Sequence, residues 1–269
     1  MRYKMMALFE AFMYYIIYLF SGIIGNIAAV AVSAVIIGFE YISNHMLTEN
    51  TEFFNEVMNL AKSELALGIL LSNLAVLFIY WLACRGKHVS LSKYSGMRRV
   101  NFISILASVA AGFVAHGLIT VVLENLKPVT DVISRYEQQM EWMREGNVLL
   151  LLAVTLIVAP VVEEIVFRGV LISSLGKIIT PLGALIVTSV LFGIAHGNIV
   201  QGTYSFILGL ILGFIKIRSN NLWNSIFMHI TFNASNIITA VFGLSVTWMS
   251  PWAIVLILAV LVWISSKPR

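Results

Sequence analysis

Eight apolar runs, most of them long enough to cross a bilayer, set the limits on what this chain can fold into: 7–39, 65–84, 100–123, 148–175, 181–198, 201–217, 222–243 and 250–265. One crossing needs about 20 apolar residues. Lipid leaves backbone N–H and C=O groups without partners, so such runs must be helical. The expected fold is all-α, a polytopic transmembrane helix bundle of about eight transmembrane helices. Short polar breaks at 176–180 and 218–221 force their flanking helices to run antiparallel. Composition agrees: 59% of the 269 residues are hydrophobic and 11% charged, against about a quarter charged in soluble domains.

Basic residues collect in the cytoplasmic loops of membrane proteins. With the N-terminus inside, twelve of the 17 Lys and Arg residues fall on the cytoplasmic side and four, Lys62, Lys127, Arg135 and Arg144, on the other. Arg168 remains within a span. The two large outer loops hold ten of the 13 acids. Both termini are therefore expected to be cytoplasmic, which an even number of spans requires. The formal charge of +4 is spread over these short loops, so it orients the chain and gives no reason to expect a nucleic-acid partner. Arg2 and Lys4 precede the first apolar run in the manner of a signal peptide, but the run is too long for one. The single cysteine, Cys84, excludes an internal disulfide and reads as a buried apolar thiol.

Ionisable groups inside a span cost roughly 2.5–3.5 kcal/mol each at the helix centre, so they mark partners or water-filled cavities. Here Glu163, Glu164 and Arg168 fall on the fourth span, His196 on the fifth and His229 on the seventh. Residues four apart share a helix face, so Glu164 pairs with Arg168. Glu163 points about 100° away and keeps no local partner, which suits it to proton transfer. His229 and Asn233 project an imidazole and an amide from one face, and His196 follows Phe192 at the same spacing. Together these groups supply a base, hydrogen-bond acceptors and an oxyanion donor, the minimum for hydrolysing an amide. Gly193 with Gly197, and Gly209 with Gly213, form two GxxxG patterns that allow close helix approach. Each element also has an ordinary reading: Glu164–Arg168 orients helices, and His116 in the third span is a packing residue. Competing protease signatures are missing: there is no HExxH helix, no GxSG serine site, and the lone aspartate, Asp131, is in an outer loop.

Three motifs run in order on successive helices: EExxxR at 163–168, FxxxH at 192–196 and HxxxN at 229–233. In this combination and order the chain resembles the CAAX protease and bacteriocin-processing (CPBP) family of intramembrane proteases, also called the Abi or CAAX prenyl protease 2-like family. The resemblance implies a helix bundle with an intramembrane catalytic cavity and an endopeptidase acting on membrane-anchored, including prenylated CAAX-type, proteins. It implies that Glu163 and His196 activate a water, that His229 and Asn233 form the oxyanion hole, and that Glu164, Arg168 and Phe192 support the site. It also allows Zn on Glu163, His196 and His229, although a metal-free, glutamate-activated water is equally consistent. All motif positions are filled.

On this reading residues 1–123 are N-terminal transmembrane helices, 124–147 an outer loop or interfacial amphipathic helix, and 148–269 the catalytic core helices. The alternative is a non-catalytic membrane scaffold, or a bacteriocin-immunity or regulatory protein that binds a membrane partner. A proton-relaying transporter ranks below both, because the chain shows no related halves.

Overall fold

A computed structural model describes residues 2–43, 50–125 and 147–267. The expected amphipathic segment at 124–147 lies almost wholly outside them. The described residues form ten helices and no strand: α1 (Arg2–Ser43), α2 (Asn50–Ser63), α3 (Leu65–Gly86), α4 (Leu91–Ser95), α5 (Phe102–Asn125), α6 (Val148–Leu175), α7 (Pro181–Ala195), α8 (Ile199–Ser219), α9 (Leu222–Phe242) and α10 (Pro251–Ser265). Eight of them coincide with the eight apolar runs, and α2 and α4 are additions in the polar breaks. The protein is an all-α polytopic bundle. Five helices, α1, α3, α5, α6 and α8, are long and apolar enough to cross a membrane by length and composition. Helices α7 and α10 are apolar but have only 15 residues each.

Local chemistry sets these boundaries. Asn147, Thr180, Asn198, Asn221 and Ser250 each cap a helix by accepting a backbone N–H at its first turn, and Pro181 and Pro251 follow at the position where a missing N–H costs nothing. At the other end, Asn220 and Gly243 adopt left-handed conformations (φ 51° and 63°) that stop α8 and α9. The run expected over 181–198 ends earlier, at Ala195, because Gly197 turns the chain at φ 73° and Asn198 is already the cap of α8.

Helix α6 is not uniform. Over Val154–Val158 and Glu164–Leu171 it widens to π-helical hydrogen bonding, with the Ile172 N–H returning to Phe167 O and Ala159 N–H to Val154 O, five residues back. Such widening rotates the following side chains relative to a regular α-helix and recurs at functional sites.

Two apolar clusters organise the bundle. One joins α1, α3, α6, α7 and α9 around Phe167, Phe192 and Tyr80. The other joins α5, α8, α9 and α10 around Leu212, Met228 and Ile254. Helix α9 belongs to both, so its inner face looks directly at α6. Small residues bring the helices close. A side chain at Gly193 would strike Gly202 O, and one at Gly112 would strike Phe232 N of α9. The first GxxxG pattern therefore divides: Gly193 packs against α8, whereas Gly197 meets nothing and serves as the turn.

A hydrogen-bonded cluster ties α1 to its neighbours at the end nearer its N-terminus. Glu10 accepts from Lys87 Nζ and from the Tyr94 hydroxyl (2.7 Å), which also lies 3.2 Å from Ser174 Oγ. Burial, reinforced by Glu10, pushes the Tyr94 hydroxyl above its ordinary range, so it remains a donor at neutral pH.

Candidate active site

The chain of buried charge begins at Arg168, which is 1% exposed and stacks over Phe192 at 4.1 Å. Its Nη1 donates to Glu164 Oε1 at 2.9 Å. The same oxygen lies 2.9 Å from His229 Nδ1. A carboxylate already accepting an arginine N–H acts as an acceptor here too, so Nδ1 is the donor and Nε2 is the nitrogen left free, the site of the lone pair in the neutral ring. That nitrogen faces Glu163 Oε2 at 3.7 Å, a gap too wide for a hydrogen bond. His229 thus lies between the two adjacent carboxylates of α6. Glu164 is fully buried, His229 is 3% exposed, and Glu163 keeps 16% of its side chain open.

His196 enters from the C-terminal end of α7. Its Nδ1 lies 2.7 Å from Phe192 O, which can only accept, so Nδ1 is the donor, and Nε2, the site of the lone pair in the neutral ring, has no hydrogen-bond partner among the described residues. Both imidazoles pack edge-on against the Phe192 ring, at 4.7 Å for His196 and 5.8 Å for His229. Phe192 is fully buried and acts as the spacer that fixes both rings. Asn233, expected beside His229 at the reaction centre, instead donates its amide to Thr155 O at 3.1 Å. That carbonyl belongs to the first widened stretch of α6.

A partly open cavity of about 190 Å³ reaches Glu163 from between α1 and α3, lined by Tyr18, Gly22, Asn26, Ser72 and Asn73 together with Ala159 and Ala195. Tyr18 donates to Glu163 Oε1 at 3.3 Å and sets its ring edge-on to Phe167 at 5.2 Å. Tyr18, Asn26 and Asn73 were not among the residues the motifs single out. The available signal was a polar side chain on an apolar run, but their association with Glu163 depends on how α1 and α3 pack, which no local spacing encodes.

The ligand set Glu163, His196 and His229 does not stand ready for a metal. No group of three or more His, Cys, Asp or Glu side chains that could hold one occurs among the described residues.

Fold and site together define a polytopic helical membrane protein with a carboxylate–imidazole centre buried among its helices. Residues 145–235, which carry all three motifs, match the family model described as "Type II CAAX prenyl endopeptidase Rce1-like". The chain is also 29% identical over 110 residues to the Bacillus subtilis (strain 168) protein named "Putative membrane peptidase YdiL", a match that covers 41% of this chain and 40% of that relative. The match thus spans well under half the length of this curated relative. No solved structure matches the chain. The motif-bearing segment is, in both comparisons, similar to membrane peptidases, as the resemblance in the sequence anticipated.

Proposed function

We propose that this protein is an intramembrane endopeptidase that hydrolyses peptide bonds of membrane-associated proteins with a water activated by Glu163. The observation that carries the reading is the placement of Glu163: partly open to a cavity, yet 3.7 Å from a histidine whose other nitrogen is held by a buried, arginine-paired carboxylate. The cavity admits a water, and the neighbouring groups supply proton acceptors.

Glu163 takes a proton from the water as it attacks the scissile carbonyl, and His196, through its uncommitted Nε2, assists as a second hydrogen-bond acceptor for that water. The proton then passes to the departing amine. Glu164 holds His229 in one tautomer and one orientation, the role a buried carboxylate plays toward histidine in hydrolytic triads. On its way to the amine the water proton is relayed from Glu163 to His229 Nε2, 3.7 Å from the carboxylate, and while it resides there His229 donates a hydrogen bond to the developing oxyanion. Asn233 joins it when substrate draws its amide from the Thr155 carbonyl. The substrate class, membrane-anchored and including prenylated CAAX-type proteins, follows from the family match alone. The basic-residue asymmetry supports a topology with both termini in the cytoplasm.

The test is cleavage of membrane-anchored and prenylated peptides by purified protein, wild type against Glu163→Ala, with and without a zinc chelator. Wild-type cleavage that the substitution abolishes is the expected result. Retained cleavage in Glu163→Ala, or none in either protein, defeats the reading. Chelator-insensitive cleavage is expected from a centre in which the three candidate ligands are not gathered.

A further inference from the structure

The cavity at Glu163 has a direction. On α1 it runs from Tyr18 to Asn26, away from the Lys4 end. On α3 it occupies Ile69 to Asn73, near the start of the helix and far from Arg85 in its last turn. On α6 it takes Ala159 and Glu163 and nothing nearer to Leu175, and on α7 it takes Ala195 at the terminus opposite Pro181. Helices α3 and α7 therefore place the cavity toward their ends away from Arg85 and Lys177, the side with few basic residues, and α1 and α6 meet it near mid-length.

Its lining is polar where lipid-exposed helices are ordinarily apolar. Asn73 Nδ2 is bonded to Ile69 O at 2.8 Å, which leaves its carbonyl oxygen for another donor. Asn26 is exposed, in the middle of an apolar helix, and makes no hydrogen bond with any described residue. An amide in hydrocarbon without a partner costs several kcal/mol, so a position facing lipid is a poor account of Asn26 and one facing water a good one. A volume of about 190 Å³ holds about six waters at ~30 Å³ each. The cavity lies between two levels of contact from α1 to α3: a side chain at Gly25 would meet Gly68 O at 2.7 Å on one side, and Tyr14 packs edge-on against Tyr80 at 4.8 Å on the other.

We infer that this cavity is a hydrated vestibule, bounded by Asn26, Asn73 and Tyr18, through which water reaches Glu163 from the basic-poor face of the membrane. The hydrolytic role of that water rests on the proposed peptidase reading; the vestibule itself does not. Tyr18, bonded to Glu163, forms its inner end.

The experiment replaces the single cysteine, Cys84, by alanine and introduces Asn26→Cys, Asn73→Cys or Ser21→Cys one at a time, with Ile27→Cys as a lipid-facing control that is 63% exposed in the protein. A charged, membrane-impermeant methanethiosulfonate reagent reacts with thiolates, which form in water and not in lipid. Applied to the outer face of spheroplasts of an expression host, it is expected to label the vestibule positions at least about tenfold faster than Ile27→Cys. Labelling no faster than the control, or labelling reached only in inside-out vesicles, overturns the inference. Monodisperse elution of each variant secures that the folded protein is being read, and having three vestibule positions guards against one that fails to fold. Labelling requires no turnover, so a wet vestibule in a protein that cleaves nothing sinks the peptidase reading alone. A dry one in an active peptidase sinks the vestibule alone.

Discussion

Glu163 and Glu164 are neighbours in sequence and opposites in environment. Glu164 is fully buried and shared by Arg168 and His229, so removing its charge leaves a guanidinium without the one acceptor it has among the described residues. Breaking a buried pair by deleting one partner costs roughly 3–5 kcal/mol. Glu164→Ala is therefore expected to lower the thermal midpoint of the detergent-solubilised protein sharply. Glu163→Gln, at a partly open position with no ion-pair partner of its own on α6, is expected to change stability by less than about 1 kcal/mol while abolishing cleavage. The same thermal melts and a cleavage assay decide both, and equal destabilisation by the two substitutions contradicts the division of labour. Tyrosines of α1 offer a second contrast. Tyr15 donates to Leu191 O and Tyr18 to Glu163 Oε1, so each Phe substitution removes one interhelical hydrogen bond but only one touches the carboxylate. Tyr18→Phe is expected to lower kcat by about tenfold with KM little changed, and Tyr15→Phe to leave both near wild type.

The motif residues were legible at this scale because a spacing of four maps onto one helix face. EExxxR placed Glu164 on Arg168, and FxxxH placed the His196 ring on Phe192, as found. What spacing does not encode is which nitrogen of His229 meets which carboxylate. That depends on how α9 packs against α6, where two residues about 100° apart on the helix end up on either side of one imidazole.

At the level of elements, apolar run length located eight helices but misjudged one boundary with chemical consequences. The run over 181–198 is apolar enough to continue, yet α7 stops at Ala195 and His196 becomes its C-terminal cap rather than an interior residue. The signal was the Gly197–Asn198 pair, a left-handed turn followed at once by an N-cap. Gly197→Ala tests what the turn contributes. Nothing lies near the added methyl group, so the cost is that of a left-handed backbone alone, ~1–2 kcal/mol. Activity is expected to fall further than this modest loss of stability explains, because the turn aims His196. An unaltered kcat in a stably folded variant removes that role. Gly112, by contrast, lies against the backbone of α9, and any side chain there must push α5 off the helix that carries His229.

For the whole molecule, burial was the least legible property. Composition announced a membrane protein, but it gave no hint that α1, outside the segment matching the peptidase family, would contribute to the centre. Nor could it show that the helix bearing His196 is among the shortest. At 15 residues α7 spans ~22 Å, against a hydrocarbon thickness of about 30 Å, and α10 is no longer. Lipids meeting so short an apolar surface must thin around it. The bilayer is then thinnest beside the candidate centre, and on the proposed peptidase reading its thickness bears on turnover. Reconstituted into short-chain phosphatidylcholine, the protein is expected to turn over faster than in long-chain lipid, with Asn26→Cys labelling less affected than cleavage. A helix too short for the bilayer hands part of its job to the lipids around it, so the surrounding membrane becomes part of the wall beside the carboxylate–imidazole centre.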